Sequence, residues 1–338
     1  MATRVLLTID TELTWRHLAR GADWRDNLKL SVEPAGVGIS YQLDMLRRHA
    51  LKACFFVDPM PALVYGMEPI ERMIAPILEA GQEVQLHLHS FWHDLAHGRR
   101  DEARYELTDF DASGQRALIE TARDLLVAAG APPPIAFRSG SYAVNVDTLA
   151  ALAALGLRFD SSHNGTDHPW PSALPLDPAL IDPAQCCGVT EIPVSQIRHA
   201  GGLRHLQICA LSSQEMEAAL AHADRNDHPV TNIVSHSFEL ATRDGKRVNK
   251  LVRGRFDRLC AFLAGNRNAM PTATFATLDA AAPARASQPL PAVSLRTYRR
   301  MAEQAWGTAR YEKRAVGAAI VAVPPLVAIE ELVALAGL

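Results

Sequence analysis

The 338-residue chain has few cysteines, no long unbroken apolar run and no surplus of either charge. Its five cysteines (Cys54, Cys186, Cys187, Cys209, Cys260) are an odd number without C-x-x-C spacing, which argues against both a disulfide framework and a zinc ribbon. They read as reduced, mostly buried thiols of a cytosolic protein. A formal net charge of −3 lacks the basic footprint that nucleic-acid binding requires. The first four residues run straight into a strand pattern at 5–10, with no basic n-region, apolar core or cleavage site. Taken as a whole chain, this reads as a cytoplasmic protein, or one at the inner face of the membrane.

At 48% hydrophobic, the chain can bury one large core or two small ones. Strand patterns fall at 5–10, 52–57, 83–89, 135–138, 158–160, 190–194, 204–208, 232–236 and 273–276. Between several of them lie helical stripes: Ile39, Leu43 and Leu46; Leu118, Ala122, Leu125 and Leu126; Leu251, Phe256, Leu259, Phe262 and Leu263. Strands alternating with helices predict an α/β fold with a parallel sheet, and the number of repeats points to a (β/α) barrel, closed or incomplete. The Pro- and Ala-rich stretch 281–292 reads as a linker after a domain of residues 1–280. A helical extension over 293–338 follows, with a basic helix and then an apolar stretch at 315–329. That stretch is about fifteen residues and contains Pro324-Pro325, short of the roughly twenty a spanning helix needs. It suits either a peripheral contact with an anionic bilayer surface or a helix packing back on the barrel.

The chemistry concentrates at strand ends. His89 and His93 stand four apart in His89-Ser90-Phe91-Trp92-His93; on one helical turn they would share a face and could share a metal, whereas in a loop they would be an ordinary surface pair. Along the preceding strand Gln85, His87 and His89 face one way, and three polar groups on a buried face need partners, a metal or water. The first strand ends in Asp10-Thr11-Glu12, whose two carboxylates share a face. A catalytic zinc is commonly held by three protein ligands with one position left for water, so Glu12, His89 and His93 form a candidate set that leaves Asp10 free as a base. An N-cap pair opening a helix is the competing account of the two carboxylates. Arg138, where a buried strand meets a Gly/Ser loop, could pair with Asp10. His236, at the end of a late strand, could donate a proton to a leaving group. Phe91 and Trp92 either wall a pocket or pack beneath the strand ends. Arg16, His17, Arg20 and Arg25 in the first long loop could grip an anion, though solvated surface charge accounts for them equally simply.

In order, these motifs resemble those of the polysaccharide deacetylase family, the carbohydrate esterases also called NodB-homology proteins. The family's marks are an aspartate pair after strand one, H-S/T-x-x-H, an arginine loop with a nearby aromatic, and a late histidine. The resemblance runs over roughly residues 4 to 280 and takes in Ala53-Cys54-Phe55-Phe56-Val57 and Thr274-Phe275-Ala276-Thr277-Leu278. It implies an irregular or incomplete barrel of that type, Asp10 as general base, His89 and His93 as metal ligands, Arg138 as partner of the base, and His236 as general acid. It further implies that the Tyr142 backbone amide serves the oxyanion, with Trp92 on the substrate side. Two departures stand out: Glu12 replaces the second of two adjacent aspartates, and the family's Asp-Trp element that tunes the acid has no counterpart.

The expected activity is therefore removal of an N-acyl group, acetyl above all, from an amino sugar or glycan precursor. One divalent ion is expected, zinc first, with cobalt or nickel as alternatives. The partner would be a carbohydrate, nucleotide- or lipid-linked if it is cytoplasmic, and no nucleic acid. A metal amidohydrolase acting on a small non-sugar amide and a non-catalytic glycan-binding barrel are the competing readings.

Overall fold

The computed structural model describes residues 2–278 and 286–312. Among the described residues eleven strands are formed: β1 Arg4–Thr11, β2 Cys54–Val57, β3 Glu83–Leu88, β4 Ala136–Ser139, β5 Phe159–Asp160, β6 Ala184–Cys186, β7 Val189–Glu191, β8 Gln196–His199, β9 Gly202–His205, β10 Val230–His236 and β11 Thr272–Ala273. One sheet runs β10-β1-β2-β3-β4-β5-β7-β6, with β11 also on β1. Every pairing in it is parallel except β6 with β7. β8 and β9 form a separate hairpin.

The alternation along β1 explains the layering. Val5, Leu7 and Ile9 face out into the large core shared with the helices, whereas Leu6 joins a small inner cluster with Phe56, Phe159 and Phe275. Above that floor the sheet interior turns polar. Thr8, Arg138, Ser161 and Asn232 meet there, with Arg138 Nη1 donating to Thr8 Oγ1 at 2.9 Å and Asn232 Nδ2 to Ser161 Oγ at 2.9 Å. Side chains of β1 and β10 thus reach β4 and the residues just after β5 across a curled sheet. The gap between β10 and the far end is spanned by irregular backbone, Ser195 N donating to Asn232 O at 3.1 Å and Gln207 bridging Val234. The irregular (β/α) barrel expected from the sequence is what forms.

The three anticipated helices form as Ile39–His49, Ala112–Ala128 and Lys250–Gly265. Two details differ from expectation. The strand placed at 204–208 lies at Gly202–His205 and pairs with β8, because a tight turn at 200–201 folds two partly polar segments against each other. Only Cys54 and Cys260 are buried; the vicinal Cys186 and Cys187 keep separate thiols 3.8 Å apart.

The helix Ser294–Gly307 packs back on the barrel. Buried Arg300 donates to buried Glu215 at 3.2 Å, Glu303 accepts from Arg255 at 2.7 Å, and Gln304 donates to Ala210 O at 3.0 Å. Residues 281–285 of the proposed linker and the apolar stretch 315–329 lie outside the described residues. No helix among the described residues is long and apolar enough to cross a membrane.

Candidate metal and acid–base site

The site lies at the C-terminal ends of β1, β3, β4 and β10, where parallel α/β sheets gather their reacting groups. Glu12, one residue past β1, meets the imidazoles of His87 and His89. His87 Nε2 is 3.3 Å from Glu12 Oε2, His89 Nε2 is closer still, and the two rings stand edge to face with centroids 4.9 Å apart. Burial alone would raise the Glu12 carboxyl, but the neighbouring His89 and His87 outweigh it and hold the group well below the usual carboxylate range. His89 is driven down by burial and more strongly up by Glu12, to about 9.

Among the described residues Glu12, His87 and His89 are the His/Cys/Asp/Glu group whose ligand atoms all lie within 4.8 Å of one another. The group differs from the ligand set expected from the sequence, with His87 where that set has His93. His93 is not in the cluster. Its Nδ1 lies 3.3 Å from Asp94 Oδ1, its ring packs on that of His97, and Arg99 stands beside it. The helix begins only at Phe91, so the i,i+4 spacing of residues 89 and 93 does not fall within it. His87, two residues before His89 on the same strand face, takes the place instead. Gly140 is tied to this arrangement: a Cβ there would collide with the His89 ring.

The donor set suits a cation. Two imidazole nitrogens and a carboxylate make a common three-ligand zinc set. Glu12 Oε2 is buried and makes no hydrogen bond of ordinary geometry, although both Nε2 atoms converge on it. His87 Nδ1 is 2.7 Å from Arg138 O; with Nδ1 as the donor, the lone pair of Nε2 faces Glu12. Asp58, fully buried at the end of β2, has one carboxylate oxygen without a partner. Burial raises it to about 6 against the pull of His89 and His87.

The acid–base half adjoins it. Asp10 Oδ1 accepts from Arg138 Nη1 at 2.7 Å, and Asp10 Oδ2 lies 3.8 Å from His236 Nε2. Arg138 is completely buried, donates also to Ser161 O and Ser161 Oγ, and has its guanidinium over the Phe56 ring. The partner of His236, absent from the sequence reading, is Glu239. Its Oε1 lies 3.7 Å from His236 Nδ1, and Gln207 donates to it at 2.6 Å and reaches the same Nδ1 at 3.2 Å. Burial would lower the His236 pKa; Glu239, Asp10 and Glu12 together raise it above its ordinary value. Glu239→Gln is accordingly expected to lower that pKa, so the alkaline limb of a pH–rate profile moves toward lower pH, as rates measured across the pH range will show.

Tyr142 sits in a loop where it and Ser141 both take left-handed backbone (φ 58° and 53°), the kind of local strain that clusters at functional sites. Trp92, expected on the substrate side, is fully buried against Phe91 and Tyr65. Phe91, whose ring centroid is 6.3 Å from that of His89, lines a cleft of about 310 Å³ with Trp15 and Tyr105. The side chains of His89 and His236 are 19% and 21% exposed while that of His87 is 3%, so a ligand must approach across the first two.

Known structures share this architecture. A protein from Mycobacterium smegmatis classed provisionally as a polysaccharide deacetylase superposes with a TM-score of 0.50 at 17% identity, over 96% of this chain and 96% of its own. The chain has the polysaccharide deacetylase fold. A family 4 carbohydrate esterase from Streptomyces lividans, solved with acetate, matches at a TM-score of 0.41 and 14% identity, over 85% of this chain and 98% of its own. No family profile and no curated protein matches the sequence. His87 enters the sequence reading only as an inward-facing polar residue, and Asp58 and Glu239 not at all. A signal existed for each: a polar residue on an inward strand face, an acid closing the apolar run Phe55-Phe56-Val57, and an acid three residues after a strand-end histidine.

Proposed function

We propose that the chain is a metal-dependent hydrolase that removes an N-acyl group, acetyl above all, from an amino sugar. The observation that carries this reading is the junction at Asp10: one carboxylate is held by Arg138, faces His236, and stands two residues from a Glu12–His87–His89 cluster able to take a cation. The polysaccharide deacetylase fold supports the carbohydrate part.

A divalent ion at Glu12, His87 and His89, zinc by its donor set with cobalt or nickel as alternatives, would supply Lewis acidity toward the acyl carbonyl and a lowered pKa for water. The remaining work falls to the chain. Asp10, oriented by the Arg138 guanidinium, accepts a proton from the attacking water. The backbone N–H of Tyr142 donates to the oxyanion as the carbonyl carbon becomes tetrahedral, a contribution of about 3 to 4 kcal/mol for a donor of this type. His236, kept protonated by Glu239, passes its proton to the departing nitrogen. Phe91, Trp15 and Tyr105 offer apolar faces for a sugar ring or its neighbour.

The nucleotide- or lipid-linked form of the substrate, its cytoplasmic setting, and membrane contact through the tail belong to the same reading; the tail residues concerned, 313–338, lie outside the described residues. The test is acetate release from a panel of N-acetyl amino sugars by the zinc-loaded chain, with and without chelation. Release that stops on chelation and returns with metal is the expected result. No release by fully loaded protein from any member of the panel would overturn the proposal.

A further inference from the structure

The first long loop ends the ambiguity over its basic residues by treating them differently. Arg25 is spoken for: its guanidinium lies over Trp24, and it approaches Glu68 at 3.7 Å. His17 is buried and pushed down to about 4 by burial and the Arg16 and Arg20 charges, which leaves it neutral. Arg20 is exposed. Arg16 is the exception. It is half-buried, makes no ion pair with any described residue, and its Nε is buried without a hydrogen-bond partner.

Its position is informative. The Arg16 guanidinium lies over the Phe238 ring, 4.9 Å from the centroid, and the other neighbour of that ring is the imidazole of His236 at 5.0 Å. The cation and the general acid thus lie against the same aromatic ring. Burial, then the like charges of Arg243 and Arg20, lower its pKa to about 10, with Glu12 and the more weakly acting Glu312 in the opposite sense; it remains charged at neutral pH and feels the carboxylate of the metal cluster. Glu12 cannot serve as its counter-ion, being engaged by His87 and His89.

A desolvated cation among like charges is costly unless something completes it. A guanidinium resting flat on an aromatic face keeps its edge N–H groups free, and that edge matches the two oxygens of a carboxylate or phosphate. We propose that Arg16 is a substrate-binding residue, and that the amino sugar acted on carries an anionic substituent, carboxylate or phosphate, that docks on its guanidinium beside Phe238. Arg20 and Arg243, exposed and without ion pairs to described residues, would draw the same group toward the mouth of the site. This rests on the deacylase reading for the sugar, but not for the anion.

The test separates the two. The zinc-loaded full chain, carrying Asp10→Asn so that turnover does not intrude, is titrated calorimetrically with N-acetylglucosamine, N-acetylglucosamine 6-phosphate and N-acetylmuramic acid. At least one of the two acidic sugars is expected to bind tenfold or more tighter than the neutral one, and which one does so identifies the anion. Arg16→Met is expected to erase the difference, and Arg16→Lys to retain part of it, since lysine keeps the charge without the planar fork. Equal binding of all three sugars, or a preference that survives in Arg16→Met, overturns the inference. A preference for acidic sugars without acetate release from any of them by the unsubstituted chain would uphold the anion site and refute the deacylase.

Discussion

His87→Ala is expected to lose the divalent ion and with it the activity, and His93→Ala to keep both. The difference follows from where the two rings lie. His87 Nε2 is 3.3 Å from Glu12 Oε2, whereas His93 is occupied by Asp94, His97 and Arg99 on the far side of the strand-to-helix junction. Removing one of three protein ligands is expected to weaken metal binding by well over about 100-fold, since loss of an outer partner alone costs roughly 10- to 100-fold. Metal content after dialysis against a weak chelator reads the effect directly. Metal retained in His87→Ala and lost in His93→Ala would restore the spacing-based ligand set and displace the one described above.

The second large effect is expected at Asp10. Asp10→Asn keeps the size of the side chain and an oxygen for Arg138, but removes the proton acceptor. General base catalysis is commonly worth about 10² to 10⁴ in rate, and kcat is expected to fall by that much with the metal still bound. Arg138→Met should lose activity too, but through a different route. It strands a buried carboxylate, a change that costs roughly 3 to 5 kcal/mol of stability when one partner of a buried pair is removed. Thermal unfolding separates the two variants: Arg138→Met melts well below the parent, and Asp10→Asn much closer to it. Activity retained in Asp10→Asn would remove it from the role of base.

The sequence made the barrel legible because its strands are short apolar runs at β-sheet spacing between amphipathic helices, and eight of them form within a few residues of their expected positions. The exceptions were weak signals. β6 and β8 are partly polar and carry no clear alternation, and the 204–208 segment was misplaced because apolar content alone does not reveal which neighbour a strand will pair with. In the site, Asp10, Glu12, His89, Arg138 and His236 could be gathered from strand ends alone. His87 is legible only as an inward polar residue and not as a partner of Glu12, because i,i+4 spacing favours His93 and holds inside a helix rather than across the bend between Leu88 and Phe91. Glu239 was passed over because its reach depends on the turn after β10, which brings an acid three residues on back toward the ring of His236.

Arg138 holds both halves of the centre at once. Its side chain grips Asp10 at 2.7 Å, and its carbonyl oxygen is 2.7 Å from Nδ1 of His87. Proton acceptor and cation cradle are therefore tied to one residue, so a shift of the β4 backbone at this position is felt by both. Lysine at the same position would keep the carbonyl anchor and surrender the fork, detuning one half of the centre while sparing the other.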